Sequence, residues 1–265
     1  GLGDVYKRQD KGLLPLPLSA GKPVRMLVVG ENALKMMTVG GGSSSLKVQR
    51  EVSPLDGLRA AAPEGMTVDY ARGYVGDVTG EYNGVTSGQD LSESRSASEL
   101  VAEAVAKARQ ADYVIFVGGL NKSAGQDCED ADRESLSLPY GQDEVIVALA
   151  KANPNLVVVN VSGNAVAMPW VKQVPAILQA WFLGSEAGNS IADVIFGKVN
   201  PSGKLPMTFP VKLEDVAAHA VGEYPGVKRQ DEDIWDEKYS EGVLVGYRWH
   251  DTVSYTHLRA HETSL

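Results

Sequence analysis

DYVIFVGGL, residues 112–120, is an apolar run that ends in glycines, and the acidic segment GQDCEDADRESLSLP follows it at residues 125–139. The next segment, GQDEVIVALAKAN at residues 141–153, has helical spacing. An apolar run without alternation is typical of a strand buried on both faces. The sequence therefore predicts a buried strand, a long acidic loop at its carboxyl end, and a helix. Open α/β sheets bind ligands at that edge, so the loop is the first candidate for a functional site.

The rest of the chain continues the alternation of strands and helices. Apolar runs at residues 24–30, 155–163 and 176–182 and an alternating pattern at residues 66–74 predict four more strands, and residues 204–209 are a candidate sixth. Helical spacing predicts helices at residues 53–63, 96–110, 142–152 and 185–198. Ser53, Ser96 and Ser185 are the predicted capping residues, and Ser96 with Glu99 forms a predicted capping box. Strands separated by single helices form right-handed βαβ units. We predict one α/β domain with a mostly parallel sheet and helices on both faces.

Composition excludes several classes of function. The chain has 265 residues, 43% of them hydrophobic, and a net charge of -9 at pH 7. This length and composition suffice for a sizeable core. An acidic chain without clustered basic residues argues against nucleic acid or an anionic membrane as a partner. No apolar run of about 18 residues occurs, so no transmembrane helix is predicted.

The acidic loop allows three interpretations from its residue types alone. Its charged residues are Asp127, Glu129, Asp130, Asp132, Arg133 and Glu134, and the single cysteine, Cys128, lies among them. The loop could be a metal cage, a catalytic carboxylate with neighbours that tune its pKa, or a solvated loop. A calcium loop needs regularly spaced oxygen ligands, and the arginine disfavours one, so no metal or other cofactor is predicted. Cys128 would need a nearby histidine to act as a nucleophile and is interpreted as a half-buried thiol.

A second loop, residues 31–45, is rich in glycine and serine and contains the run Gly40, Gly41 and Gly42. It has neither the dinucleotide-binding nor the phosphate-loop pattern, so nucleotide binding is not predicted. We interpret these glycines as positions where the backbone comes close to a ligand or to another domain.

Six motifs occur in an order that resembles a known family. They are E-x-x-D-R-x-x-L-x-L-P (129–139), N-P-N-x-V-V-V (153–159), M-P-W (168–170), A-x-x-x-x-W-F-x-G-x-E-x-G (176–188), F-G-x-x-N-P-S-G-K-L-P-x-T-F-P (196–210) and Y-x-E-G-x-x-V-G-Y-R (239–248). Together they resemble the carboxy-terminal domain of glycoside hydrolase family 3, and L-L-P-L and V-x-G-E-N-A near the start are similar to it as well. The resemblance implies an (α/β)6 sandwich over residues 10–250.

The two ends of the chain lack a core pattern. Residues 1–9 and 251–265 resemble translated sequencing-adapter read-through at the ends of fragmentary metagenomic genes, and we interpret them as sequencing or assembly artefacts. In the family, this domain follows an amino-terminal (β/α)8 barrel that carries the aspartate nucleophile. We therefore expect the barrel to be a missing partner and the nucleophile to lie outside this chain. The resemblance also suggests a periplasmic or secreted location.

The resemblance implies that Glu129, four residues before Arg133, is the general acid/base of a retaining exo-β-glucosidase. Such an enzyme uses two carboxyl groups about 5–5.5 Å apart, one as nucleophile and one to protonate the leaving oxygen. The acid must remain protonated near neutral pH. We therefore expect burial or the charges of Asp127, Asp130 and the missing barrel aspartate to raise the pKa of Glu129. Arg133 is expected to pair with Asp132 and hold the loop.

Several alternatives stay open. A β-xylosidase or another β-glycosidase is possible because the family's contacts to the glycone come largely from the barrel, and a non-catalytic sugar-binding module is a third reading. The expected substrate is a β-linked glucoside or oligosaccharide, and the isolated fragment is expected to be inactive. Trp170 and Trp181 are either core residues or sugar platforms. The aromatic-rich residues 211–249 either cover the domain's own edge or dock another domain.

Overall fold

The computed structural model describes residues 6–9, 12–18, 22–76, 87–129, 132–253 and 256–258. A central sheet organises the fold. Its strands are β1 (Tyr6–Gln9), β2 (Val24–Val29), β3 (Met66–Ala71), β4 (Tyr113–Gly119), β5 (Leu156–Val161) and β6 (Ala176–Gln179). They lie in the order β1-β6-β5-β4-β2-β3. Strands β2 to β6 are parallel, and β1 is antiparallel to β6.

Helices cover both faces of this sheet. They are α1 (Pro54–Ala61), α2 (Ala97–Ala108), α3 (Gln142–Ala152) and α4 (Ala187–Ile195). In β4, Val114 and Phe116 lie in the core formed with α2 and α3. The alternate residues Ile115 and Val117 lie in the core formed with α1 and α4. Because successive side chains of a strand point to opposite faces, a sheet covered twice requires continuous apolar strands. The predicted mostly parallel sheet with helices on both faces is confirmed.

Two of the four helices that cover the sheet, α1 and α2, begin at a capping serine whose side chain accepts a backbone hydrogen bond. At α2, Ser96 accepts a hydrogen bond from the Glu99 N–H at 3.3 Å, and the Glu99 carboxylate accepts one from the Ser96 N–H at 2.8 Å. This is the predicted capping box. At α4 the prediction that Ser185 is the capping residue is wrong, since the helix begins at Ala187 after a 3-10 turn. The Ser185 carbonyl instead accepts from the Val52 N–H at 2.8 Å. Ser185 therefore joins two backbone segments and does not cap a helix.

The sixth predicted strand, at residues 204–209, is wrong. Residues 204–208 form no strand, and only β7 (Phe209–Pro210) follows, paired with β10 (Thr256–Leu258) outside the central sheet. Leu205 and Phe209 are buried in the core beside α2 and α3, so the segment packs on that face of the sheet and adds no strand to it. The sixth strand of the sheet is β1, in the terminal segment that the sequence analysis left outside the domain.

The segment of residues 211–249 lies mostly on the surface. Its regular elements are short: α5 (Ala217–Ala220), β8 (Val227–Lys228), β9 (Trp235–Asp236) and the start of α6 (Tyr247–Val253). Tyr239 is 72% exposed and Val243 is 74% exposed, so these side chains do not cover the domain's own core. The Trp249 indole joins the two ends of the segment by donating to the Asp215 carbonyl at 2.8 Å. None of the described helices is long and apolar enough to cross a membrane.

The contact between α1 and α4 gives a test of the fold. A Cβ on Gly57 would lie 2.2 Å from the carbonyl carbon and oxygen of Gly188. Gly to Ala normally stabilises a helix by roughly 0.5–1 kcal/mol. We predict that Gly57→Ala instead lowers the free energy of unfolding by about 1–3 kcal/mol, because the helices must separate. Denaturant unfolding measures this, with the exposed change Ala102→Ser as control, expected within about 0.5 kcal/mol of wild type. A stabilised Gly57→Ala protein would contradict the close crossing.

Candidate active site

The acidic segment, residues 125–139, lies on a loop that leaves the carboxyl end of β4, as predicted. From here on, the acidic loop means residues 121–139, and the Gln142 side chain holds its two ends together. The Gln142 side chain is fully buried. It accepts from the Gly119 N–H at 2.7 Å and donates to the Gly119 carbonyl at 2.8 Å. It also donates to the Pro139 carbonyl at 3.0 Å. One buried amide therefore satisfies backbone groups at both ends of the loop.

Two charged side chains tie the middle of the loop to the turn after β5. Asp127 accepts from the Gly163 N–H and from the Asn164 amide, each at 2.6 Å. Arg133 donates from Nη2 to the Ala165 carbonyl at 2.6 Å. Burial lowers the pKa of Arg133, and the charge of Asp127 acts in the opposite direction. Asp127 and Arg133 thus anchor the acidic loop at two points of the turn that follows β5.

The predicted pairing of Arg133 with Asp132 is wrong. Asp132 is exposed, and no ion pair joins the two within the part of the chain that the structure describes. The guanidinium is half-buried, so it needs an acceptor that is itself inside the fold. Arg133 does hold the acidic loop against the turn after β5, through its hydrogen bond to the Ala165 carbonyl. Asp130 lies outside the described residues, and Glu134 is exposed.

Glu129 lies on the surface of the loop and is held by the glycine loop, which we define as residues 38–46. Its Oε2 accepts from the Ser43 N–H at 2.6 Å, and its own N–H donates to the Gly41 carbonyl at 3.3 Å. The Ser43 backbone N–H, followed by the Ser43 hydroxyl, lowers the pKa of Glu129. The predicted upward shift is wrong for this chain, because the side chain is exposed and receives hydrogen bonds instead of losing solvent.

The glycine loop approaches the acidic loop closely. Gly40, Gly41 and Gly42 all have positive φ, at 96°, 78° and 82°, a region that favours glycine. A Cβ on Gly41 would lie 2.6 Å from Cε of Lys122. The neighbour that the structure shows for these glycines is the acidic loop of the same domain, and the predicted approach to a ligand or to another domain stays a prediction.

Buried polar residues at the carboxyl ends of β5 and β6 were missed by the sequence analysis. Asn160 donates to the Gln179 side chain at 2.6 Å and to the Ser162 hydroxyl at 2.9 Å. Gln179 donates to the Ser162 carbonyl at 3.0 Å. The sequence signal that could have found this network is a polar residue inside an apolar run, such as Asn160 in β5, since buried polar side chains are uncommon. This network fixes the strand ends beneath the turn that Asp127 and Arg133 contact.

A buried ionic cluster fixes the end of β2 and was also missed. Glu31, 1% exposed, accepts from Arg72 at 2.7 Å and lies 3.8 Å from the Lys35 ammonium. The next residue, Asn32, donates to the Leu120 carbonyl at 2.9 Å. The hydrogen bond from Asn32 to Leu120 therefore joins the ends of β2 and β4, the strands that precede the glycine loop and the acidic loop.

The two tryptophans have different surroundings. Trp170 is fully buried and donates to the Asp143 carboxylate at 2.7 Å, so it is a core residue. Burial raises the pKa of Asp143, although this hydrogen bond opposes the shift. Trp181 is half-buried just after β6, with φ 48° and its ring 6.5 Å from that of Phe209.

Among the described residues, no group of three or more His, Cys, Asp or Glu side chains could hold a metal ion.

The same arrangement of strands, loops and motifs occurs in a known family. Residues 8–247 match the family model described as the glycosyl hydrolase family 3 C-terminal domain. This chain belongs to that family. Beta-glucosidase BoGH3A from Bacteroides ovatus is 49% identical to it over 253 residues, which are 92% of this chain and 31% of that protein.

Two further relatives show how widely this family 3 domain is shared. An exo-alpha-(1->6)-L-arabinopyranosidase from Bifidobacterium breve is 36% identical over 94% of this chain and 30% of its own length. The crystal structure of the Bifidobacterium adolescentis GH3 beta-glucosidase matches with a TM-score of 0.75 and 33% identity, covering 97% of this chain and 34% of that chain. The chain thus spans about a third of the length of these relatives.

The anchoring of the acidic loop can be tested by comparing two of its aspartates. We predict that Asp127→Ala lowers the free energy of unfolding by about 1–3 kcal/mol, because hydrogen bonds to a charged group are among the stronger ones. Asp132→Ala, at an exposed position five residues away, should change it by no more than about 0.5 kcal/mol. Denaturant unfolding gives both values, and amide exchange at Gly163 should speed up only in Asp127→Ala. Equal effects of the two changes would argue against the anchor.

Proposed function

We propose that this domain supplies the general acid/base of a retaining glycoside hydrolase that acts on β-glucosides, with Glu129 in that role. The observation that carries the proposal is the position of Glu129. It is an exposed carboxylate on a firmly anchored loop, at the carboxyl edge of a parallel sheet. Ligands bind at that edge in open α/β sheets. Membership of family 3 and the relatives named beta-glucosidase support the choice of reaction.

The reaction needs a second carboxyl group, about 5–5.5 Å from the first. We propose that it comes from a (β/α)8 barrel in the part of the full-length protein that lies beyond this chain. We propose residues 10–250 as the domain unit, which forms an (α/β)6 sandwich when β1, at residues 6–9, is counted as the sixth strand. Glu129 would then face the barrel. The relatives are about three times as long as this chain, which leaves room for such a domain.

The lowered pKa of Glu129 in this chain is compatible with an acid role in the complete enzyme. A barrel packed over the loop would remove solvent from the carboxyl group and bring a negatively charged nucleophile close to it. Both changes raise the pKa of a carboxyl group, which is the direction an acid at neutral pH requires. The Ser43 N–H would then act against the shift and orient the carboxyl group.

Two of the relatives bear on the choice of glycone. A β-glucoside is favoured because the relative with 49% identity is named a beta-glucosidase. The arabinopyranosidase from Bifidobacterium breve, 36% identical over 94% of the chain, supports a second candidate, a family member acting on another sugar. Since similar domains occur in both proteins, we propose that contacts from the barrel select the glycone.

The role of Glu129 can be tested in a chimera in which this domain replaces the matching segment of the Bacteroides ovatus relative. We predict that Glu129→Ala lowers kcat/KM by about 10²–10⁴-fold for glucosides with poor leaving groups, which need protonation. Aryl glucosides with good leaving groups should lose much less. Azide should restore turnover and yield a glycosyl azide, because it attacks the intermediate without a general base.

Glu134→Ala is the matched control for this experiment. It removes an exposed carboxylate from the same loop and should leave kcat/KM near that of the unmodified chimera. If Glu129→Ala reduces both substrate classes equally and azide gives no rescue, Glu129 is not the acid/base.

The isolated chain provides a separate prediction. The 265-residue polypeptide should not hydrolyse an aryl β-glucoside above background, because a double displacement needs two carboxyl groups in place. Release of the chromogenic phenol over hours measures this. Turnover that disappears on Glu129→Ala would show that the nucleophile lies within the chain.

A further inference from the structure

The contacts that hold Glu129 come from a loop that is flexible by composition. The Ser43 N–H binds the Glu129 carboxylate, and the Gly41 carbonyl binds its backbone N–H. Three successive glycines at positive φ precede Ser43, and glycine restricts its backbone less than any other residue. The position of the Ser43 N–H must therefore depend on what ties the glycine loop down.

Lys122 ties the two ends of the glycine loop together. Its ammonium donates to the Ser44 carbonyl at 3.1 Å and lies 3.5 Å from the Thr38 carbonyl. Burial lowers the pKa of Lys122, and the charge of Glu51 opposes this shift. A partly buried ammonium needs acceptors, and the loop supplies two carbonyl groups. Lys122 itself belongs to the acidic loop, so this contact also joins the two loops.

Glu51 holds Thr38, the first residue of the glycine loop, and Met37 just before it. One carboxylate oxygen accepts from the Met37 N–H at 2.6 Å. The other accepts from the Thr38 N–H at 3.2 Å and from the Thr38 hydroxyl. Thr38 is thus bound through its N–H by an anion and through its carbonyl by the Lys122 cation, and it is 5% exposed.

We propose that Lys122 and Glu51 are positioning residues, which act through the glycine loop to set the place and orientation of Glu129. We call this pair, with Thr38 between them, the loop clamp. Releasing it would let Ser43 move away from the carboxylate. In an enzyme, a misplacement of about 1 Å can cost on the order of 100-fold in rate. The catalytic meaning of the clamp rests on the proposed function of Glu129, whereas the clamp itself can be tested without any catalysis.

The test uses the 265-residue chain and the pKa of the Glu129 carboxyl group, followed by carbon NMR during a pH titration. In the wild type this pKa lies below its usual value because Ser43 donates to the charged form. We expect Lys122→Met to raise it towards the usual value and to speed amide exchange at Ser43 roughly tenfold, because local opening becomes easier. Lys151→Met makes the same substitution at an exposed lysine near the end of α3 and should change neither quantity.

Glu51→Gln separates the clamp from a simple effect of charge. Removing a negative charge from the neighbourhood would by electrostatics alone lower the pKa of Glu129 further. The clamp predicts the opposite sign, since a carboxamide has one acceptor oxygen in place of two and the loop is released. Lys122→Arg keeps the charge and the donors and should retain most of the wild-type pKa.

Two results would overturn the proposal. One is a folded Lys122→Met protein, with an unchanged circular dichroism spectrum, in which the pKa of Glu129 and the exchange at Ser43 stay as in wild type. The other is a lower pKa in Glu51→Gln, and this sign decides the matter even if Lys122→Met does not fold. In the chimera, Lys122→Met should reduce kcat/KM for poor leaving groups roughly tenfold more than for good ones. If kcat/KM falls equally for both kinds of leaving group while the pKa of Glu129 and the exchange at Ser43 change as expected, the result counts against Glu129 as the acid, and not against the clamp.

Discussion

Both faces of the parallel sheet are covered by helices, so the polar groups that do chemistry or hold loops must lie at the ends of the strands. Alternate side chains of β4 enter two different cores, and charged groups there would be costly. The carboxyl edge is where the backbone leaves this apolar layer. Gly119 lies at this point of the chain. The Gln142 side-chain amide accepts from the Gly119 N–H and donates to the Gly119 carbonyl.

Backbone groups, more than charged partners, hold the acidic loop. Asp127 and Arg133 each bind the main chain of the turn after β5, and the Glu129 carboxylate accepts from a main-chain N–H. Such partners are fixed by the fold and lose little conformational entropy when they bind, in contrast to long side chains at the surface. The result is a loop that carries many charges yet presents Glu129 in a defined place.

Under the proposed function, this arrangement accounts for a domain that supplies one of the two carboxyl groups of an active site. Glu129 is exposed and oriented, but its pKa is lowered by its own domain. The environment that would make it an acid, low solvent access and a nearby anion, has to come from outside. Under the proposed function, closure of two domains would assemble the two carboxyl groups and set the protonation state of one of them in the same step.

The sequence by itself determined the class of fold, since apolar runs separated by amphipathic segments encode burial on two faces, as in β4 and α3. It also determined that Glu129 lies on a loop at the carboxyl edge. Only the tertiary structure decided which groups meet there, because Ser43 lies 86 residues from Glu129 in the chain. Arg133 similarly selects the Ala165 carbonyl over an adjacent aspartate. Periodicity records how deeply a residue is buried, but it contains no information on which distant backbone group will stand beside it.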